Sequence, residues 1–237
     1  MNITLMSYNT QHCLNYVTRE IDFDIMADTI RKCGADIIGL QEMFNLGETE
    51  AFTEQTAVLA KKLGFYHYFA EATKLEKGKY PYGNGLLSRY PILEAETVII
   101  PDPEVRTGKR YYETRCLLKA KLDVAGGLNV LVTHFGLNAD EQENAVNTVI
   151  ANLPREKGVL MGDFNVRPEN ELLKPIRERL YDTAELFDGE KGSWPSDEPR
   201  GKIDYIFTTK DLPVLSADIP AIVSSDHRPH IATIELA

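Results

Sequence analysis

The sequence predicts an α/β protein built from two packed β-sheets with helices outside them. Short apolar segments rich in β-branched residues alternate with segments that place apolar residues at helical spacing. No low-complexity linker or internal repeat interrupts this alternation, and the chain of 237 residues, 43% of them hydrophobic, is long enough to bury a sizeable core. We therefore expect a single domain that spans residues 1–237.

The predicted elements follow one another along the chain. Buried strands are predicted at ITLMSY (3–8), ADIIGL (35–40), LNVLVTH (128–134) and KGVLMG (157–162). Helices are predicted at FDIMADTIRKC (23–33), EAFTEQTAVLAKKLG (50–64, stopping at its glycine) and DEQENAVNTVIANL (140–153). A second set of strands, with less helix between them, is predicted at NGLLS (84–88), ILEAETVII (92–100), YYETRCLLKAKLDV (111–124), KIDYIFTT (202–209) and HIATIEL (230–236).

Composition narrows the class of protein. The formal net charge of -10 argues against broad, non-specific binding to a nucleic-acid backbone. The sequence shows no basic leader with an apolar core, and no apolar run approaches the roughly 20 residues of a membrane helix. Cys13, Cys33 and Cys116 are scattered and form no metal-type pair, as expected of reduced thiols. These features predict a cytoplasmic protein without a strong nucleic-acid or membrane signal, and they leave its oligomeric state open.

Polar side chains follow the predicted strands at the points where those strands end. They are Asn9, Glu42, His134, Asp163 and Asn165, with Asp204 in KIDYIF and Asp226 and His227 in SDH. If the strands run broadly the same way, these groups meet at one rim of the sheets, the usual place for a site in a layered α/β protein. Each group alone has a plainer interpretation, such as a turn at Asp-Phe-Asn. Their joint presence in order favours a site.

The residue types at this rim indicate a hard metal ion. Carboxylates and carboxamides suit Mg²⁺ or Mn²⁺ better than a soft metal, and several carboxylates close together repel one another unless a cation neutralises them. Asp163 and Asn165 are two residues apart, so in an extended chain both side chains point to the same face. Asp226 precedes His227 directly and is poorly placed to orient it, which makes Asp204 the candidate partner of that histidine.

Seven segments carry a family resemblance across nearly the whole chain. They are SYN (7–9), ADIIGLQE (35–42), GLLSRYPI (85–92), VTHFG (132–136), GDFN (162–165), IDYIF (203–207) and SDHRP (225–229). In this order they resemble the endonuclease/exonuclease/phosphatase superfamily, whose members include deoxyribonuclease I, abasic-site endonucleases, neutral sphingomyelinases and inositol polyphosphate phosphatases. The resemblance implies a four-layered α/β sandwich, in agreement with the two predicted sheets.

The resemblance also implies a role for each residue at the rim. Glu42 would be the principal ligand of one or two Mg²⁺ or Mn²⁺ ions, supported by Asn9, with Asp226 nearby. His227, paired with Asp204, would be the general base or orient the water, while Asp163 would position the nucleophile or stabilise the leaving group. The assignment of the general base between His227 and Asp163 stays open. The phosphate would be held by His134 and Asn165, with Asn9 as a further candidate. Arg115 matches a position where the family often has an arginine that contacts phosphate, and the alternative of a plain surface arginine stays open.

The implied activity is hydrolysis of an anionic phosphoester by in-line attack of water. We expect a small soluble phosphodiester or phosphomonoester; the alternatives are a sequence-nonspecific nuclease, a sphingomyelinase-like lipid phosphodiesterase, and an inactive binding module on the same scaffold. An inactive scaffold would be free to lose Glu42, Asp163 or His227, and all three are present. Trp194 could stack on a substrate. Lysines and arginines in two predicted loops could attract an anion, namely Lys74, Lys77, Lys79, Arg106, Lys109 and Arg110.

Overall fold

A computed structural model of the chain describes residues 1–46 and 53–237. Its strands are β1 (Asn2–Asn9), β2 (Ile37–Phe44), β3 (Tyr66–Lys74), β4 (Tyr80–Ser88), β5 (Ile92–Ile99), β6 (Cys116–Leu122), β7 (Leu128–His134), β8 (Gly158–Asp163), β9 (Leu180–Asp182), β10 (Asp204–Thr209), β11 (Val214–Asp218) and β12 (His230–Glu235). Its helices are α1 (Phe23–Cys33), α2 (Gln55–Leu63), α3 (Leu75–Gly78), α4 (Ala139–Asn152) and α5 (Lys174–Arg177). None of these helices is long and apolar enough to cross a membrane.

The strands form two six-stranded mixed sheets, as the sequence predicted. The first has the order β11-β12-β1-β2-β4-β3, and the second has the order β5-β6-β7-β8-β10-β9. Each sheet contains one parallel pair near its centre, β1 with β2 and β7 with β8. Parallel neighbours end at the same edge of a sheet, so Asn9 and the end of β2 lie together, as do His134 and Asp163.

Three apolar clusters divide the fold into four layers. One cluster, with Leu5 of β1 and Met161 of β8, lies between the sheets. A second packs α1 and α2 on the outer face of the first sheet, and a third packs α4 and α5 on the outer face of the second. Central strands are therefore buried on both faces, which is why they read as continuous apolar runs. The predicted four-layered sandwich is confirmed.

Capping residues explain where the predicted helices begin and end. The Asp22 side chain accepts hydrogen bonds from the backbone N–H groups of Asp24 and Ile25, and Gly34 ends α1 in the left-handed region at φ 63°. The helix predicted at 50–64 is α2, which runs from Gln55 to Leu63; residues 50–52 of that prediction lie outside the described residues. The helix predicted at 140–153 is α4, with a capping box at its start.

The strand predictions differ from the structure in two ways. Three strands were not predicted, β3, β9 and β11, and each lies at the edge of its sheet. Partial exposure removes the apolar pattern from β3 and β11, and β9 has only 3 residues. The strand predicted at 111–124 covers only Cys116–Leu122. The residues before it are held by side chains at the start of α4 instead of a strand partner: the Tyr112 hydroxyl donates to Asp140 Oδ2 at 2.7 Å.

Glycine at position 39 lets the two sheets approach closely near their shared rim. A Cβ atom added to Gly39 in β2 would lie 2.7 Å from Met161 Cγ and 3.0 Å from Val132 Cγ1, both in the opposite sheet. Real Cβ atoms do not come so near, so a larger residue would force the side chains of Met161 and Val132 to shift. The close packing of Met161 against β2 therefore depends on this glycine.

Candidate active site

The central strands carry the predicted rim residues to one place. Asn9 Nδ2 donates to Glu42 Oε1 at 2.9 Å and to Asp163 Oδ2 at 3.1 Å, so a single carboxamide joins the first sheet to the second. The backbone N–H of Gln11 donates to Asn9 Oδ1 at 3.0 Å. This bond fixes which way the amide faces, because the backbone N–H needs the oxygen as acceptor. Asn9 therefore presents its nitrogen to the two carboxylates.

Glu42 reaches the rim through an irregular turn of strand β2. Its φ is 63°, in the left-handed region, and the register with β4 shifts between Leu40 and Met43. Such a bulge re-aims a side chain that regular alternation would place elsewhere, at some cost in backbone strain. The strand thus gives up regular pairing to bring the Glu42 carboxylate beside Asn9.

The GDFN segment forms a turn that uses one carboxylate oxygen of Asp163 and directs the other towards the histidines. The backbone N–H of Asn165 donates to Asp163 Oδ1 at 2.9 Å, which is the turn interpretation of this motif. The other oxygen, Asp163 Oδ2, lies 3.5 Å from His134 Nε2 and 3.7 Å from His227 Nε2. Burial raises the pKa of Asp163, and the neighbouring Asp204 carboxylate raises it further. The GDFN segment is therefore both a turn held by an Asp163 hydrogen bond and a part of the candidate active site.

Asp204 and His227 form a buried pair at the start of β10. His227 Nδ1 lies 2.8 Å from Asp204 Oδ2, and the two side chains are 5% and 0% exposed. Because a carboxylate only accepts, the proton between them belongs to Nδ1, and Nε2 faces Asp163. Burial opposes charge on His227, but the carboxylates of Asp204 and Asp163 outweigh it and raise its pKa. Asp204 occupies the orienting position; its catalytic role stays a prediction.

His134 is held from the opposite side by Arg115. Arg115 Nη1 lies 2.9 Å from His134 Nδ1 and 2.6 Å from Glu113 Oε1. Burial, together with the charge of Arg115, lowers the pKa of His134 well below its usual range. Sequence reasoning did not single out Glu113; its position two residues before Arg115, on the same side of an extended segment, was the available signal. The predicted contact of Arg115 with phosphate stays a prediction.

Two sets of residues could hold a metal ion. Glu42 and Asp226 offer carboxylate oxygens, and the charge of Glu42 adds to burial in raising the pKa of Asp226. Two carboxylates this close to one another fit a divalent cation with hard oxygen ligands. Asp163, Asp204 and His227 also lie close enough, with their ligand atoms within 4.8 Å of one another. In that second set the hydrogen bond to His227 Nδ1 already uses Asp204, so we favour the Glu42 set.

The other predicted site residues lie at the surface. Trp194 is 42% exposed, in the loop that precedes β10. Among the basic loop residues, Arg106 pairs with Asp102 at 3.8 Å and lies over the Tyr112 ring, and Lys74 pairs with Glu71. Exposed pairs of this kind contribute little energy and are typical of a solvated surface.

Fold and site together define a deoxyribonuclease I-like α/β sandwich with a rim of carboxylates, carboxamides and histidines. A family model described as the endonuclease/exonuclease/phosphatase family matches residues 6–227. The chain belongs to this family.

Solved structures share the whole fold. A family protein from Beutenbergia cavernae superposes with a TM-score of 0.80 at 21% identity and covers 100% of this chain and 72% of its own. A mannosyl-6-phosphatase from Bacteroides thetaiotaomicron has a TM-score of 0.75 at 18% identity, with 99% of both chains covered. At these identities the similarity concerns the fold.

One curated relative is similar over part of the chain. It is the protein cwh43 of Schizosaccharomyces pombe, which is 29% identical over 131 residues, or 54% of this chain. This chain covers 12% of the length of that relative.

Proposed function

We propose that the protein is a Mg²⁺-dependent hydrolase of a small soluble phosphodiester or phosphomonoester, acting in the cytoplasm. The observation that carries the proposal is the position of Asp163 Oδ2, which accepts from Asn9 and lies within 3.7 Å of Nε2 of both His134 and His227. Such a centre offers a proton acceptor and hydrogen-bond donors around one point, as hydrolysis of a phosphoester requires.

The proposed chemistry divides the work among the side chains. His227 Nε2 or Asp163 Oδ2 takes the proton of the attacking water, and Asp204 keeps the His227 ring in place. His134 and Asn165 hydrogen-bond the non-bridging oxygens of the phosphoryl group, where charge grows during the reaction. A divalent ion held by Glu42 and Asp226, with Asn9 supporting Glu42, would polarise the phosphoryl group and neutralise charge on the leaving oxygen.

Two observations support a small substrate. The net charge of -10 disfavours a long polyanion such as DNA. The mannosyl-6-phosphatase shares the fold over 99% of both chains, and its name describes a sugar phosphate as substrate.

The proposed location in the cytoplasm is supported by the cysteines. All three are free, with Cys13 and Cys116 buried, as expected in a reducing compartment.

A panel of phosphoesters tests the proposal. It includes bis-p-nitrophenyl phosphate, sugar phosphates, nucleotides, short DNA and sphingomyelin, each with Mg²⁺, with Mn²⁺ and with EDTA. We expect turnover that EDTA abolishes and that Glu42→Ala removes. Glu104→Ala, at an exposed glutamate in the loop before β6, is the matched control and should keep full activity.

The outcomes separate the alternatives. Preference for DNA or sphingomyelin over every small ester would replace the proposed substrate class by a nuclease or a lipid phosphodiesterase. Absence of both turnover and Mg²⁺ binding by calorimetry would favour a binding module that has lost catalysis.

A further inference from the structure

A chain of three side chains, Glu113, Arg115 and His134, leads from the segment before β6 to the reaction centre. Glu113 Oε1 lies 2.6 Å from Arg115 Nη1, which lies 2.9 Å from His134 Nδ1. The side chains of Arg115 and Glu113 are only 12% and 13% exposed, so this ion pair is shielded from water. Both partners therefore have defined positions against the histidine.

The contact with Arg115 decides which nitrogen of His134 carries the proton. A guanidinium group has donors and no acceptor, so His134 Nδ1 must offer its lone pair. A neutral imidazole then carries its hydrogen on Nε2, the atom that faces Asp163 Oδ2. The Asn165 amide nitrogen is 3.2 Å from this Nε2, but it has another acceptor in the carbonyl oxygen of Phe135 at 3.0 Å.

The two histidines of the site are thus held in opposite states. His227 is bound through Nδ1–H by a carboxylate, which favours its protonation. His134 is bound at Nδ1 by a cation, which disfavours protonation. The environment of His227 favours the charged ring, and the environment of His134 favours the neutral ring, which donates a hydrogen bond from Nε2.

We infer that Arg115, anchored by Glu113, is a positioning residue that fixes His134 as the neutral tautomer with Nε2–H directed at the reaction centre. This inference rests on the proposed function for its chemical meaning. His134 then stabilises a phosphoryl oxygen and takes no proton from water, which leaves that task to His227 or Asp163. Glu113 acts through Arg115 and touches no substrate.

Nitrogen NMR of the folded protein with ¹⁵N-labelled histidine measures the tautomer directly. The chain has 5 histidines, and the signals lost in His134→Gln identify this ring. We expect wild-type His134 to show a pyridine-type Nδ1 and a pyrrole-type Nε2 across neutral pH. The Arg115→Met variant should mix the two tautomers, and Arg115→Lys, which keeps a donor, should restore the wild-type pattern.

Kinetics with the best ester of the panel supply the second readout. Losing an orienting partner of this kind typically costs roughly 10- to 100-fold, and we expect that loss in kcat for Arg115→Met, a smaller loss for Glu113→Gln, and recovery in Arg115→Lys. Arg155→Met is the matched control, because Arg155 is an exposed arginine in the loop before β8, outside the site. Its tautomer pattern and kcat should equal those of the wild type.

The NMR result does not depend on turnover, so the inference and the proposed function can fail separately. A pyrrole-type Nδ1 in wild-type His134, or an unchanged tautomer in a folded Arg115→Met variant, would overturn the positioning role even if the enzyme is active. The expected tautomer in a protein that hydrolyses none of the esters would retain the positioning of His134 and remove the proposed chemistry.

Discussion

Replacing Asp204 by asparagine removes one negative charge from the buried pair and keeps its shape. Asp204 Oδ2 is the acceptor 2.8 Å from His227 Nδ1, and the side chain of Asp204 is 0% exposed. Water therefore cannot take the place of the lost carboxylate. An amide oxygen at the same position would keep a weaker hydrogen bond, and an amide nitrogen there would turn the imidazole to the wrong tautomer.

The expected loss of activity in Asp204→Asn depends on which atom of the amide, oxygen or nitrogen, faces His227 Nδ1. Weakening a charge-assisted hydrogen bond to a neutral one costs about 1–2 kcal/mol, or roughly 5- to 30-fold in rate. The wrong tautomer removes proton transfer through Nε2, for which about 10²- to 10⁴-fold is typical. Since Asp204 Oδ1 has no hydrogen-bond partner among the described residues, nothing anchors the amide in the favourable orientation. We expect the larger loss, in kcat more than in KM.

The assay is steady-state turnover of the preferred ester with saturating Mg²⁺, paired with thermal unfolding. Asp182→Asn is the matched control, because Asp182 is also buried and paired, with Arg177 at 3.1 Å, outside the site. It should lower stability and leave kcat near the wild-type value. A folded Asp204→Asn variant with kcat within about threefold of wild type, far below the general acid–base range, would refute the pairing argument.

Two further predictions concern a buried amine and the bridging carboxamide. Burial lowers the pKa of Lys202 to about 7, so between pH 7 and about 10.4 the Lys202 side chain keeps a proton in the unfolded chain that it has released in the folded chain. The contribution of Lys202 to stability should therefore rise with pH across that window, and the difference between wild type and a Lys202 variant isolates this contribution. Below pH 7, Lys202→Met should therefore be more stable than wild type by on the order of 1–4 kcal/mol, and this gain should shrink towards pH 10. Urea unfolding of both proteins below pH 7 and near pH 10 measures the gain. An equal gain at the two pH values would contradict the prediction. Asn9→Leu removes the donor that orients Glu42 and should weaken Mg²⁺ binding roughly 10- to 100-fold by calorimetry, with unchanged affinity as the contrary result.

The central strands and the rim could be predicted because both depend on short-range patterns. A strand buried on both faces is apolar along most of its length, so the sequence alone predicts β1, β2, β7 and β8. A polar residue directly after such a strand lies where the strand ends, at the rim of the sheet. Parallel pairing then brings Asn9 near β2 and His134 beside Asp163. The edge strands β3 and β11 lack this pattern because they are partly exposed, and β9, with 3 residues, is too short to show it.

The interactions that the sequence did not reveal are those that depend on which donor faces which acceptor. Glu113 falls within a segment predicted to be a strand, where a glutamate two residues before an arginine suggests only a shared face. Its ion pair and the resulting state of His134 arise because that segment leaves the sheet and packs against the start of α4. Lys202 was likewise predicted only as the first residue of a strand. Its burial depends on the tertiary fold, which the sequence pattern does not show.

The location of the site explains why its motifs are spread over residues 7–229. The candidate metal ligand Glu42 belongs to the first sheet and Asp163 to the second. The Asn9 carboxamide donates hydrogen bonds to both carboxylates and so connects the two sheets. Neither sheet alone contains the complete site, so it forms only when the two pack at the spacing that Gly39 permits. A side chain at position 39 that moved the sheets apart would lengthen the bond from Asn9 to Asp163, whereas the apolar layer between the sheets would still hold the fold together. Activity should therefore be more sensitive than stability to the spacing of the sheets.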